Sequence, residues 1–175
     1  MPFLTVRRQA LLETPRLCLR PMEPGHLNSL VAVLSDPIAR RYFPAPLTRG
    51  TVLRWIERSH IRHQQYSDGL WAILLKETAI IVGDCELLRS EAEGQVTVEL
   101  SYHVRQDARR QSYATEAARA CIRYSFEKIG ASKVIAVIRR GNIASRRVAE
   151  KNGMKLEREI MRAGFVHLVY ASSKL

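Results

Sequence analysis

The segment from Val96 to Ile138 leaves this chain few folds to choose from. VTVELSYHV (Val96 to Val104) reads as a strand, and KVIAVI (Lys133 to Ile138) is a short uninterrupted apolar run of the kind buried on both faces. Between them Ala114, Ala117, Ala118, Cys121, Ile122, Phe126 and Ile129 share one helical face, and Gly130 supplies a C-terminal stop. Two strands of one sheet joined by a crossover helix must pair in parallel. Hairpins flank this unit. LWAILLK (Leu70 to Lys76), a turn at Glu77 to Ala79 and IIVGDCELL (Ile80 to Leu88) form one, with RSEAEGQ (Arg89 to Gln95) read as a polar loop before Val96. MKLEREIM (Met154 to Met161), a turn at Arg162 to Gly164 and FVHLVYA (Phe165 to Ala171) form the other. A parallel crossover set among antiparallel hairpins predicts a mixed sheet in an α+β layered domain.

The N-terminal half supplies a first strand and three helical pieces. Leu17 and Leu19 alternate with Arg16, Cys18 and Arg20, and Pro21 closes that strand. Pro24 opens a helix with Leu27, Leu30, Val31 and Leu34 at helical spacing, and Asp36-Pro37 starts a short piece stopped near Pro44 and Pro46. Thr48 caps a longer helix whose apolar face is Val52, Trp55, Ile56 and Ile61, ended at Ser67-Asp68-Gly69. Gly83, inside a strand, marks a bulge or a close backbone approach. With 175 residues, 46% of them hydrophobic, the chain buries one ordinary core, so a single domain over 1–175 is expected.

The formal charge of +11 draws anionic partners: nucleic acid, an acidic membrane or a polyphosphate ligand. The arginines, from Arg7 and Arg8 through Arg40, Arg41, Arg139 and Arg140 to Arg146 and Arg147, are scattered rather than massed in a tail. Cys18, Cys85 and Cys121 are odd in number and widely spaced, which indicates buried thiols in a reducing compartment and neither a disulfide framework nor a metal site. The start MPFLTVRRQALLE does not read as a signal peptide, and no run reaches the roughly 18 to 20 apolar residues of a membrane span. A cytoplasmic protein with no membrane role is expected, as a monomer or a homodimer.

Two places carry chemistry. A turn with Arg109 and Arg110 leads into a helix, whose first N–H groups make an anion site that arginines strengthen; a phosphate-bearing cofactor is the expected ligand. Asn142 opens a second helix after the buried strand, where Asn caps well and Asn-x-x-Ser places Ser145 in the first turn.

ETPRLCLRP (Glu13 to Pro21), SYATEAARA (Ser112 to Ala120), GNIASRRVAEKNGM (Gly141 to Met154) and GFVHLVYA (Gly164 to Ala171), in this order, resemble the GCN5-related N-acetyltransferase (GNAT) superfamily, in its RimJ/RimL-like ribosomal-protein branch. The resemblance implies a mixed, mostly antiparallel central sheet of about six to seven strands with helices on both faces. It implies acetyl-CoA as cofactor and an amine acceptor, either a protein N-terminus or a small molecule, with proximity to the ribosome. The family's pyrophosphate loop falls on Arg109, Arg110, Gln111, Ser112, Tyr113 and Ala114, followed by Thr115; Ser112 and Arg110 stand where glycines are usual. Tyr102, His103 and Val104 fall where the preceding strand splays and its main chain pairs with the pantetheine arm, with the Val104 N–H as oxyanion donor.

The resemblance to this branch implies that Asn142 contacts the cofactor and that Ser145 sits near its sulfur. Ala149 occupies the place of a tyrosine acid common in relatives, which leaves Ser145 for that role. Glu99 is the expected base, directly or through water; the competing reading is a structural carboxylate paired with an arginine. His103 is a reserve base. Glu116 complements the helix N-terminus, and His167 either lines the acceptor site or is an ordinary strand histidine. An acyl-CoA sensor without turnover and a basic nucleic-acid-binding domain are the alternative functions.

Overall fold

Every residue from Gly69 to Leu74 is buried, and their alternation divides the molecule into two cores. Trp71 and Ile73 point to one face of the sheet, while Leu70, Ala72 and Leu74 point to the other, so a layer of helices must cover each. In the computed structural model, which describes residues 11–43 and 47–174, this is what happens. The expected stop at Pro44 and Pro46 lies outside the described residues, as do Arg7 and Arg8.

The strands are β1 (Leu12–Glu13), β2 (Leu17–Pro21), β3 (Gly69–Leu75), β4 (Ile81–Ala92), β5 (Gln95–Val104), β6 (Lys133–Arg139), β7 (Lys155–Arg162) and β8 (Phe165–Ser173). They form one sheet in the order β1-β2-β3-β4-β5-β6-β8-β7. β5 and β6 pair in parallel and the other neighbours antiparallel. The helices are α1 (Leu27–Leu34), a single turn α2 (Pro37–Arg40), α3 (Arg49–Tyr66), α4 (Tyr113–Tyr124) and α5 (Ile143–Lys151). Leu30 and Leu34 of α1 with Val52 and Ile56 of α3 pack on Leu70, Ala72 and Leu74. Ala117, Ala118 and Cys121 of α4 with Ala149 of α5 pack on Trp71, Ile73, Leu100 and Val134. No described helix is long and apolar enough to cross a membrane.

The α+β class and the parallel crossover agree with the sequence; the strand count is eight, because β1 is a two-residue piece with no period to read. The stretch Arg89 to Gln95, expected as a loop, extends the β4–β5 hairpin: Arg89 pairs with Val98 and Ala92 with Gln95 around a two-residue turn. That turn has Glu93 at φ 53° and Gly94 at φ 75°, which suits the right-handed twist of a tight hairpin. Ser90 to Gln95 are exposed, so the hairpin tip buries neither face and its sequence need not alternate.

Local chemistry explains most element ends. Thr48 caps α3 by accepting the Thr51 N–H at 3.1 Å. Ile61, expected on the apolar face of α3, is exposed; Ser59 is buried instead, and its hydroxyl accepts the Leu70 N–H at 2.5 Å. α4 runs on through a wider-wound turn, Ser125–Ile129, to Gly130 at φ 78°. Gly83 satisfies both of its readings: the β3–β4 register slips beside it, and a β-carbon there would lie 2.3 Å from the His103 carbonyl oxygen.

Candidate active site

Parallel pairing between β5 and β6 covers only Thr97↔Lys133, Val98↔Val134 and Glu99↔Ile135. Both strands continue, β5 to Val104 and β6 to Arg139, so beyond Glu99 they diverge and open a cleft. The Arg105 N–H is spent on the Val82 carbonyl at 2.8 Å, on the β4 side. Strand alternation therefore turns the N–H groups of Val104 and Tyr102 the opposite way, into the cleft. Main-chain donors facing an opening at the end of a strand can accept an added extended arm.

The turn after β5 supplies more donors. Arg110 (φ 62°) and Ser112 (φ 63°) both take the left-handed conformation, which costs an L-residue about 1–2 kcal/mol. Glycine would hold either position without that cost. The Glu116 N–H returns to the Ser112 carbonyl at 3.0 Å, whereas Tyr113, Ala114 and Thr115 contribute the first-turn N–H groups that a helix cannot satisfy internally. Arg110 and Gln111 are exposed beside them.

Arg109 is placed differently from the expectation. Its guanidinium forms an ion pair with the buried Asp36 and its Nε donates to the Val104 carbonyl at 3.3 Å, so the side chain braces the end of β5. Glu116 is tied to the β1–β2 bend: it accepts from Thr14 Oγ1 at 2.5 Å and from the Arg16 N–H at 3.0 Å, and Arg16 pairs with it at 2.7 Å. Partial burial works to raise its carboxyl, but the Thr14 and Arg16 hydrogen bonds hold it below the usual carboxylate range. Arg16 also lies 4.7 Å from the centre of the Tyr113 ring.

Asn142 caps α5, its Oδ1 accepting the Ser145 N–H at 3.2 Å. The Ser145 carbonyl accepts from the Tyr102 phenol at 2.7 Å, which joins β5 to α5 on the α4–α5 side of the sheet. Ser145 itself is half-buried in the first turn of that helix, and its hydroxyl makes no hydrogen bond among the described residues.

On the opposite side of the sheet, facing α1 and α3, β4 and β5 present Asp84, Glu86, Glu99, Ser101 and His103. Both oxygens of Glu99 accept from Arg162, at 2.7 and 3.1 Å, so the arginine-paired alternative describes its surroundings. His103 Nδ1 lies 3.0 Å from Oδ2 of the fully buried Asp84, and its ring stacks on Phe43 at 5.1 Å. Desolvation works to lower the imidazole pKa, but the charge and hydrogen bond of Asp84 outweigh it and the net shift is upward. Glu86 accepts from the Trp55 indole at 2.6 Å; burial pushes its carboxyl up, with Trp55 opposing. His167 bonds the Phe165 carbonyl at 2.9 Å, as an ordinary strand histidine does. Asp84 was not foreseen, and the signal for it was an acidic residue inside the apolar run IIVGDC.

The acetyltransferase (GNAT) domain family matches this sequence over residues 16–155. The chain belongs to the GNAT acetyltransferase family. It is 33% identical over 150 residues to the uncharacterized protein YkkB of Bacillus subtilis (strain 168), covering 85% of this chain and 87% of that one. Its fold is similar to a GNAT-family acetyltransferase from Bacillus anthracis, with a TM-score of 0.80, 22% identity and coverage of 94% of this chain and 98% of that one. It is similar as well to RimL, described as a ribosomal L7/L12 α-N-protein acetyltransferase in complex with coenzyme A, with a TM-score of 0.81, 16% identity and coverage of 94% and 98%.

As a GNAT enzyme the chain uses acetyl-CoA. The residues present fit that cofactor. The diverging strands leave main-chain donors for an extended amide-bearing arm, and a left-handed loop with a helix N-terminus stands ready for a diphosphate. Ser112 and Arg110 both take the positive φ that glycine adopts most readily.

Proposed function

We propose that this GNAT enzyme transfers the acetyl group of acetyl-CoA to a primary amine by direct attack in a ternary complex. The observation that carries this is the divergence of β5 from β6 beyond Glu99 and Ile135, with the Val104 N–H turned into the cleft. In this reading Tyr102, His103 and Val104 supply the main chain along the arm, and the Val104 N–H receives the negative charge that develops on the carbonyl oxygen. The N–H groups from Arg110 to Thr115 hold the diphosphate, with Arg109 bracing the loop through Asp36. Asn142 sets the start of α5 beside the cofactor, and the Ser145 hydroxyl protonates the departing sulfur. A thiol near pKa 8.5 leaves with little assistance, so Ser145 refines the reaction more than it enables it.

The acceptor we rank first is an α-amine, of a protein N-terminus or a small molecule. Such a group, near pKa 7.7 to 8.0, gives up its proton far more readily than a lysine near 10.4. The likeness to RimL, whose name describes an α-N-protein acetyltransferase, supports the same choice and a place near the ribosome in the cytoplasm. The comparisons lend the nucleic-acid reading no support, and Arg16, Arg62, Arg89, Arg105, Arg140 and Arg162 are engaged by carboxylates rather than free for phosphates. Thiol release from acetyl-CoA, followed with alanine amide as acceptor, tests the proposal; acetyl-CoA binding without release for any primary amine would return the sensor reading.

A further inference from the structure

The face of β5 toward α1 and α3 carries two groups able to take a proton from the acceptor, and their surroundings separate them. Glu99 stands at the closed end of the cleft, where β5 still pairs with Ile135, and Arg162 occupies both of its oxygens. His103 stands at the open end, one residue before the Val104 N–H, and its ring presents one nitrogen to Asp84. With Nδ1–H donated to Asp84, the Nε2 lone pair lies on the far edge of the ring. Nε2 has no hydrogen-bond partner among the described residues, and 22% of the side chain is exposed while that of Asp84 is not exposed at all.

Asp84 makes the difference. Its second oxygen, Oδ1, is buried without a hydrogen-bond partner among the described residues, and the one side chain among them that meets the carboxylate is the His103 imidazole. Such a carboxylate stabilises an imidazolium next to it and fixes the ring's orientation. Among the described residues, few further charges act on His103. Glu86 lies beside Asp84 on β4, the Arg109–Asp36 pair closes off the end of α1, and Glu99 is neutralised by Arg162. Phe43, stacked on the ring, shields one of its faces from water.

We propose that His103 is the catalytic base, accepting the amine's proton on Nε2, with Asp84 as the positioning residue that holds the ring through Nδ1. The assignment rests on the acetyl-transfer reading above. An ammonium acceptor loses two protons in the reaction. His103 takes one and passes it to solvent; the other replaces, on the Ser145 hydroxyl, the proton that Ser145 gives to the sulfur as the C–N bond forms and the C–S bond breaks. Glu99 and Arg162 then act as a fixed ion pair that ties the β7–β8 turn to the floor of the acceptor side.

The test uses the full chain with acetyl-CoA and three probe amines: alanine amide, Nα-acetyl-lysine amide and 1,4-diaminobutane. His103→Gln should lower kcat/KM by about 10²- to 10⁴-fold and abolish the acid limb of its pH profile, while calorimetry shows acetyl-CoA binding within about threefold of wild type. Added imidazole should restore part of the activity of His103→Ala. Independently of turnover, the imidazole resonances of the free protein should titrate above the usual 6.5, and Asp84→Asn should bring that midpoint down. Turnover by His103→Gln within about threefold of wild type, or an ordinary midpoint indifferent to Asp84→Asn, overturns the assignment and leaves acetyl transfer standing. Wild-type protein that binds acetyl-CoA yet acetylates none of the amines overturns both.

Discussion

The phenol of Tyr102 on β5 donates to the main-chain carbonyl of Ser145 on α5 at 2.7 Å, beside the point where β5 leaves β6. This single bond spans the mouth that strand divergence opens. Burial pushes the phenol above its usual range, so it stays a donor across the physiological range. Tyr102→Phe should cost about 0.5–1.5 kcal/mol, seen as a fall of roughly 2–4 °C in melting temperature per kcal/mol, and should weaken acetyl-CoA by letting α5 shift. An unchanged melting temperature would show that the ring's packing alone fixes the helix.

Ser112 and Arg110 hold left-handed conformations that glycine would adopt without penalty. Ser112→Gly and Arg110→Gly should each raise stability by up to about 1 kcal/mol, since relief of strain exceeds the entropy glycine adds to the unfolded chain. Acetyl-CoA should bind at least as tightly to Ser112→Gly by calorimetry. A clear loss of affinity would mean that the serine hydroxyl contacts the diphosphate and matters more than backbone approach.

Gly83 packs against the carbonyl of His103, where a β-carbon would sit at 2.3 Å. Gly83→Ala must push β4 and β5 apart at the open end, at a cost of about 1–3 kcal/mol by chemical denaturation. Because the displaced residues are His103 and Val104, turnover should fall more than stability predicts. Wild-type stability in this variant would contradict the close approach.

Glu99 and Arg162 form a half-exposed pair, of the kind that adds only about 0–1 kcal/mol. Arg162→Ala and Glu99→Gln should therefore melt within a few degrees of wild type. Glu99→Gln should also retain much more activity than His103→Gln. The reverse order in kcat/KM would restore Glu99 as the base.

The His103–Asp84 pair predicts a direction for stability against pH. His103 has its pKa raised in the folded protein, so its contribution is complete below the unfolded value near 6.5 and disappears as pH rises through the folded value. Urea midpoints should show a larger gap between wild type and His103→Gln at about pH 5.5 than at about pH 8.5. A gap that widened with pH would mean the ring is held neutral in the fold.

Hairpins, caps and the crossover were readable because each is a local pattern. Thr48 before α3, Asn142 before α5 and Gly130 after α4 act where the sequence places them. The β4–β5 tip was missed because, with both faces in water, Ser90 to Gln95 carry no hydrophobic period. The turn before α4 could be located by its residues, yet the direction of the Arg109 side chain could not, because its partner Asp36 is 73 residues away.

Period and spacing alone determined the α+β class and the parallel step from β5 to β6; which main-chain groups face the cleft follows from the Arg105–Val82 hydrogen bond. Tertiary structure decided which side chains meet: Glu99 with Arg162, 63 residues apart, and His103 with Asp84, 19 apart on the neighbouring strand. The reason is physical. A strand's alternation assigns each residue to a face, but the charge it meets there depends on cross-strand register and on a distant hairpin folding back, and both are settled only when the sheet closes.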